Sequence, residues 1–288
     1  MSASWLQLSV RTRAANLDSL ANFLIERGSP GVVLKKNRVD AFFRPNRNNR
    51  ALRADIRRFL EQISNVSRSA RNHRLDWKII NEDNWQNSWK RFIRPRRVGK
   101  LFWVTPPWIE PPKFRRRMII TIEPGMAFGT GMHETTRGCM EFIEGAVDKF
   151  RGDEFTALDV GTGSGILAIA LARLGARKIW AIDNDSVALA VARENLCSNG
   201  VAERVHLSAV KLERIKSTFS LVVANLTAEM IVELAGALEK RVAVKGYLIL
   251  SGILPNKAGV VTRCFTDRFR IVKRKRAREW QTLLLQRK

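Results

Sequence analysis

The chain has 288 residues, 45% of them hydrophobic, enough for a sizeable core in one large or two modest domains, which excludes global disorder. No apolar run approaches the roughly eighteen residues that span a bilayer, so no membrane partner is expected. Its 51 Lys and Arg against 27 Asp and Glu give a formal charge of +24, a field that repels free basic proteins and attracts polyanions by counterion release.

The excess is uneven, because residues 1–117 hold 26 basic and 9 acidic residues. Contact with nucleic acid is one reading of that part; an arginine-rich but merely solvated surface is the other. Cys139, Cys197 and Cys264 are scattered and odd in number, and MSASWLQLSVRTR lacks the apolar core of a signal peptide. A cytoplasmic protein with reduced thiols is expected. With only His73, His133 and His206, no metal site is expected.

Residues 1–80 read as strand, helix, strand, strand, helix, strand. WLQLSV alternates as a half-buried strand does. NLDSLANFLIERG has helical spacing, with Asn16 as N-cap and Gly28 beyond its end. GVVL and VDAFF flank a polar turn. NRALRADIRRFLEQIS then places Leu52, Ile56, Phe59, Leu60 and Ile63 on one helical face and Arg50, Arg53 and Arg57 on another. LDWKII closes the unit. This order is that of a ferredoxin-like split βαβ module.

Residues 81–116 read as a connector. Trp85, Trp89 and Phe92 form an apolar stripe at helical spacing, read as a packing surface rather than as stacking platforms for bases. TPPWIEPPK is too rich in proline to continue a helix. From RMIITI at 117 onward, TALDV, KIWAI, RVHL, SLVVAN, GYLILS, RIVKR and WQTLLLQ alternate with helical segments. Residues 117–288 are therefore expected to form an α/β domain with a mostly parallel sheet covered on both faces.

IEPGMAFGTGMHETT, at 122–136, carries three glycines and three threonines ahead of a helix expected to begin near Thr135. Helix-start amides and threonine hydroxyls suit a carboxylate. His133 reads as a structural hydrogen-bonding residue rather than a general base. The most informative stretch runs from Leu158 to Asp183, LDVGTGSGILAIALARLGARKIWAID. An apolar strand ends in Gly161, Gly163 and Gly165; a helical segment and a second strand follow, ending in Asp183. Glycines there let the backbone approach a nucleotide-like ligand, and an acid after the second strand accepts hydrogen bonds from ribose hydroxyls. A dinucleotide site wants Gly or Ala where Ile166 stands, and no carboxylate at the strand end. Asp159 instead suits a cation, such as the ammonium or sulfonium of S-adenosyl-L-methionine (SAM).

Asn225 ends SLVVAN and should face the same crevice, since carboxyl ends of adjacent parallel strands share one side of the sheet. Its amide offers an acceptor and two donors. Leu226, Thr227 and Ala228 follow it, where methyltransferases of base amino groups carry two prolines and an aromatic; this argues against a flipped base as substrate. KRKRAR, at 273–278, is the densest basic cluster and reads as a solvated strand edge that discourages edge pairing.

Taken with EPGMAFGTGMHETT, LDVGTGSGILAIA, IDNDSVALAVARENLCSNGV, VVANLTAE, LILSGIL, NWQNSWKRFIRP and LFWVTPPW, the chain resembles the PrmA family over essentially its full length. These are SAM-dependent methyltransferases of the stalk-base protein of the large ribosomal subunit. The resemblance implies a ferredoxin-like substrate-recognition domain (1–80), a connector (81–116) and a Rossmann-like SAM domain (117–288). It implies methylation of lysine or N-terminal amines of a ribosomal protein; the Asn225 amide, able to accept an N–H from such an amine, is expected to be the catalytic residue. It carries cofactor contacts onto Thr136, Gly161, Asp183 and Asn225, and Gly163 joins them from the loop. Met132 and Glu134 depart from the family's threonine and proline, and Leu226-Thr227 from Ile-Leu. The basic N-terminal part raises contact with ribosomal RNA, and an alternative: an RNA- or ribosome-binding protein with a vestigial methyltransferase domain, or an RNA methyltransferase.

Overall fold

The computed structural model describes residues 4–13, 16–44, 49–65, 75–81, 94–110, 117–123, 133–150 and 154–288. The chain divides into two compact units, residues 1–94 with 124–126, and residues 95–123 with 127–288.

The first unit comprises β1 (Ser4–Arg11), α1 (Leu17–Glu26), β2 (Val32–Lys35), β3 (Arg38–Phe43), α2 (Asn49–Asn65) and β4 (Leu75–Asn81). Its sheet has the order β2-β3-β1-β4 with every neighbouring pair antiparallel, the ferredoxin-like arrangement expected. Leu6, Leu8 and Val10 occupy alternate positions of β1 and pack with Leu20 and Leu24 of α1 and Ile56 and Leu60 of α2. Two periods, 2 and 3.6, thus meet in one core. Phe59 also stacks on Phe23 at 4.1 Å between centroids. Asn16 stands at the N-cap position of α1, but its backbone is already helical and its side chain makes no capping bond. The side chains of Arg50 and Ile63 and the stripe Trp85, Trp89, Phe92 lie outside the described residues.

In the second unit, β5 (Arg96–Val98) and β6 (Phe102–Thr105) fall within the stretch expected as a connector. β7 (Met118–Thr121), which was expected to open the large parallel sheet, instead pairs with β6 in a separate three-stranded sheet of order β5-β6-β7. Side-chain amides explain the difference. Asn199 accepts from the Thr121 N–H at 2.9 Å and donates to the Thr121 carbonyl at 2.6 Å, while Asn195 accepts from the Glu123 N–H at 3.2 Å. Those amides satisfy backbone groups that a neighbouring strand would otherwise take. The β5–β6 turn is fixed by the buried Glu144 of α3 (Glu134–Val147), whose carboxylate accepts from the N–H groups of Lys100 and Leu101 at 2.9 and 2.8 Å.

The large sheet is built from β8 (Thr156–Val160), β9 (Lys178–Ile182), β10 (Val205–Ser208), β11 (Phe219–Asn225), β12 (Val242–Ile253), β13 (Phe269–Ala277) and β14 (Trp280–Arg287). Its order is β10-β9-β8-β11-β12-β14-β13, parallel from β10 to β12, with β14 antiparallel to both its neighbours. Helices α4 (Ile166–Arg173), α5 (Ser186–Ser198), α6 (Ala228–Arg241) and α7 (Ala258–Arg263) connect the strands. Alternate strand residues feed two cores: Ala157, Val223 and Ile249 pack with Cys139, Met140 and Ile143 of α3. Leu158, Val222 and Leu248 pack with Ile231 and Leu238 of α6 on the other face. Strand order reverses between β8 and β11, and ligands of open α/β sheets bind at the carboxyl ends beside such a reversal. Among the described residues no helix is long and apolar enough to cross a membrane.

Candidate active site

The loop after β8 folds over the end of β9. The N–H groups of Gly161 and Thr162 both donate to the Ile182 carbonyl, at 2.9 and 3.0 Å. Gly161, Gly163 and Gly165 have φ of 71°, 54° and 81°, a backbone that side chains other than glycine rarely adopt. The Gly163 N–H donates to Asp183 Oδ2 at 2.9 Å, and the Asp185 N–H to Asp183 Oδ1 at 3.0 Å. Asp183 is thereby held by one N–H on each oxygen, and each oxygen keeps a lone pair.

Asp159 is fully buried at the end of β8. Its Oδ2 accepts from the Thr162 hydroxyl at 2.7 Å, whereas Oδ1 has no hydrogen-bond partner among the described residues. Burial pushes its pKa up to about 7; the Thr162 hydroxyl opposes that rise and the nearby Asp183 charge adds to it.

Asn225 ends β11 on the other side of the reversal. Its Nδ2 donates to Thr136 Oγ1 at 3.5 Å, and its buried Oδ1 has no partner among the described residues. Thr136 is fully buried in the first turn of α3. His133 caps that helix, accepting through Nδ1 from the Thr135 N–H, so it is structural as expected. The turn after Asn225 is tightly enclosed. The Leu226 N–H donates to the Ser251 carbonyl at 3.1 Å. A Cβ on Gly252 (φ 85°) would lie 2.2 Å from the Leu226 carbonyl oxygen, and one on Gly161 would lie 2.5 Å from the Leu226 side chain. Beneath it, the buried Ser251 hydroxyl donates to the Thr135 carbonyl at 3.3 Å and lies 2.9 Å from Thr282 Oγ1.

The fold thus brings Gly163 to Asp183, Thr136 to Asn225, and Gly161 against Leu226. Residues 124–132 of the histidine segment lie outside the described residues. Ser251, Gly252 and Thr282 were not singled out in the sequence. The available signal is Ser251, which ends the apolar run GYLILS in register with Asn225, with Gly252 immediately after it. Chemically, the cleft offers two unpaired buried oxygens and a carboxylate with spare lone pairs. That set fits a cationic nucleoside and opposes a pyrophosphate. Among the described residues no group of His, Cys, Asp and Glu is arranged to hold a metal.

Residues 4–288 match the family model for ribosomal protein L11 methyltransferase (PrmA). The chain is 36% identical over 305 residues to the ribosomal protein L11 methyltransferase of Pelobacter propionicus, covering 100% of this chain and 99% of that one. It is 35% identical over 303 residues to that of Geobacter sulfurreducens, covering 99% and 98%. The crystal structure of ribosomal protein L11 methylase from Lactobacillus delbrueckii subsp. bulgaricus aligns with a TM-score of 0.62 at 31% identity, covering 68% of this chain and 100% of that chain.

Proposed function

Because the chain belongs to the ribosomal protein L11 methyltransferase family, we propose that it methylates lysine or N-terminal amines of ribosomal protein L11, with SAM as donor and Asn225 as catalytic residue. SAM supplies a methyl carbon already activated by its sulfonium. The protein's task is then to align a neutral amine with that carbon. The observation that carries the reading is the Asn225 amide: its nitrogen is engaged by Thr136, and its buried oxygen is free among the described residues to accept an N–H from the target amine. The amine's lone pair is thereby aimed along the line of attack.

Asp183 holds the ribose hydroxyls, and the buried Asp159 carboxylate faces the positive end of the donor. Thr136 accepts from Asn225 and keeps its own hydroxyl proton for the donor's carboxylate. Gly161 and Gly163 let the backbone close on the nucleoside. A lysine presented neutral at pH 7 costs about 4.6 kcal/mol and an α-amine about 1. An apolar surround lowers that cost by disfavouring the ammonium, and solvent takes the proton after transfer.

Residues 1–80 act as the recognition domain and 117–288 as the catalytic domain; of the connector 81–116, the part from residue 95 onward belongs to the same compact unit as the catalytic domain. The basic excess of residues 1–117 supports contact with ribosomal RNA while a protein is modified. The three cysteines, none paired, are consistent with work in the cytoplasm. Incubation with methyl-labelled SAM, purified L11 and ribosomal RNA tests the whole reading. Mass spectrometry is expected to find added methyl groups on L11 amines; label confined to RNA would overturn it.

A further inference from the structure

The basic run of β13 is not used by the reaction, and its environment is informative. β13 is the last strand of the large sheet, with no strand on its outer side among the described residues. Pairing with β14 sorts its side chains by face. Lys273 and Lys275 lie opposite Leu284 and Thr282, on the α3 side, where Lys275 pairs with Glu141 and Lys273 lies over the Phe142 ring. Arg274 and Arg276 lie opposite Leu283 and Gln281 and point to the other face. Both arginines and Lys273 are exposed, and none has a carboxylate partner among the described residues. Cations therefore flank the sheet edge from both sides. Discouraging an added strand needs charge at the edge; it does not need two exposed guanidinium groups without carboxylate partners on one face.

The position of this edge matters as well. Asn225 is level with Ser251 of β12, Ser251 reaches Thr282 of β14, and Thr282 is level with Lys275 of β13. Three strand spacings put the basic edge roughly 14 Å from the catalytic amide, along one row of the sheet. A ligand on that edge lies beside whatever enters the cleft.

We propose that the β13 edge binds the phosphate backbone of RNA through Lys273, Arg274 and Arg276, seating an RNA strand beside the catalytic cleft. Guanidinium forks match phosphate geometry, and exposed cations without carboxylate partners on both faces of one edge match a polyanion. These residues belong to neither the cofactor site nor the basic N-terminal stretch of the sequence.

The test uses the full chain and a labelled single-stranded RNA 20-mer, with affinity measured by fluorescence anisotropy over a range of salt. Changing Lys273→Gln, Arg274→Gln and Arg276→Gln together is expected to weaken binding at least ten-fold. It should also flatten the slope of log K against log salt by about 2, as for three lost phosphate contacts. A control removes three exposed cations from the opposite part of the sheet, Lys178→Gln, Lys211→Gln and Lys216→Gln; it is expected to weaken binding less than two-fold. Equal losses in the two triple variants would overturn the proposal, as would a polyglutamate 20-mer that competes as well as RNA. Methyl transfer to free L11, followed in parallel, is expected to survive the β13 changes, so a failure here is distinct from a failure of the methyltransferase reading.

Discussion

Asp159 is the residue whose behaviour most depends on what the cleft holds. Its pKa of about 7 lies above the 3.8 of an unburied aspartate, so the folded protein holds that proton more tightly than the unfolded chain. Its contribution to stability is therefore complete below about pH 4 and is lost as pH rises towards 7. A bound cation reverses the preference by favouring the carboxylate. SAM affinity, measured by calorimetry, is expected to fall about ten-fold per pH unit below 7, and to become flat in Asp159→Asn. A wild-type affinity unchanged from pH 5.5 to 7.5 would remove Asp159 from contact with the positive charge. Gly252 makes a second residue-scale case. An alanine there meets the Leu226 carbonyl in a backbone already at φ 85°, so Leu226 and the preceding Asn225 must move. Gly252→Ala is expected to lower kcat at least ten-fold, with KM for SAM changed less than three-fold; unchanged kcat would show that the turn tolerates the shift. Asp183 and Asn225 were legible because each is a polar residue placed at the end of an apolar strand. Gly252 was not, because its constraint comes from a carbonyl on a neighbouring strand.

At the scale of elements, long-range side-chain anchors decide where the minor sheet goes. Glu144 satisfies two backbone N–H groups of the β5–β6 turn, and Gly99 is the residue that leaves room for its carboxylate, since a Cβ there would lie 2.3 Å from Oε1. Glu144→Ala strands both N–H groups and is expected to cost on the order of 2 kcal/mol. For a unit of this size the thermal midpoint should fall by about 4–8 °C. A scanning-calorimetry shift under 1 °C would mean that water replaces the carboxylate without loss. These anchors explain what the local pattern missed. The strand period of RMIITI was correct, but its partner is chosen by Asn195 and Asn199, over seventy residues further along the chain. The strands RRV and FWVT are short and flanked by prolines, so their pattern was masked by turn signals.

At the scale of the molecule, alternation of apolar strands with helical segments was enough to identify the doubly covered sheet and the ferredoxin-like unit. Alternation carries the core, and the core carries the topology. Strand order was less legible: nothing local shows that β14 inserts between β12 and β13. That insertion places Thr282 beside Ser251 and so links β14 to the turn after Asn225. Asp159, Asp183 and Asn225 stand at strand ends beside the reversal, where we propose that the amide of Asn225 directs the amine while the two acids hold the donor. Single-turnover transfer to L11 at saturating SAM by Asn225→Ala tests it most directly. The rate is expected to fall at least a hundred-fold although SAM is saturating. Transfer at the wild-type rate would contradict it.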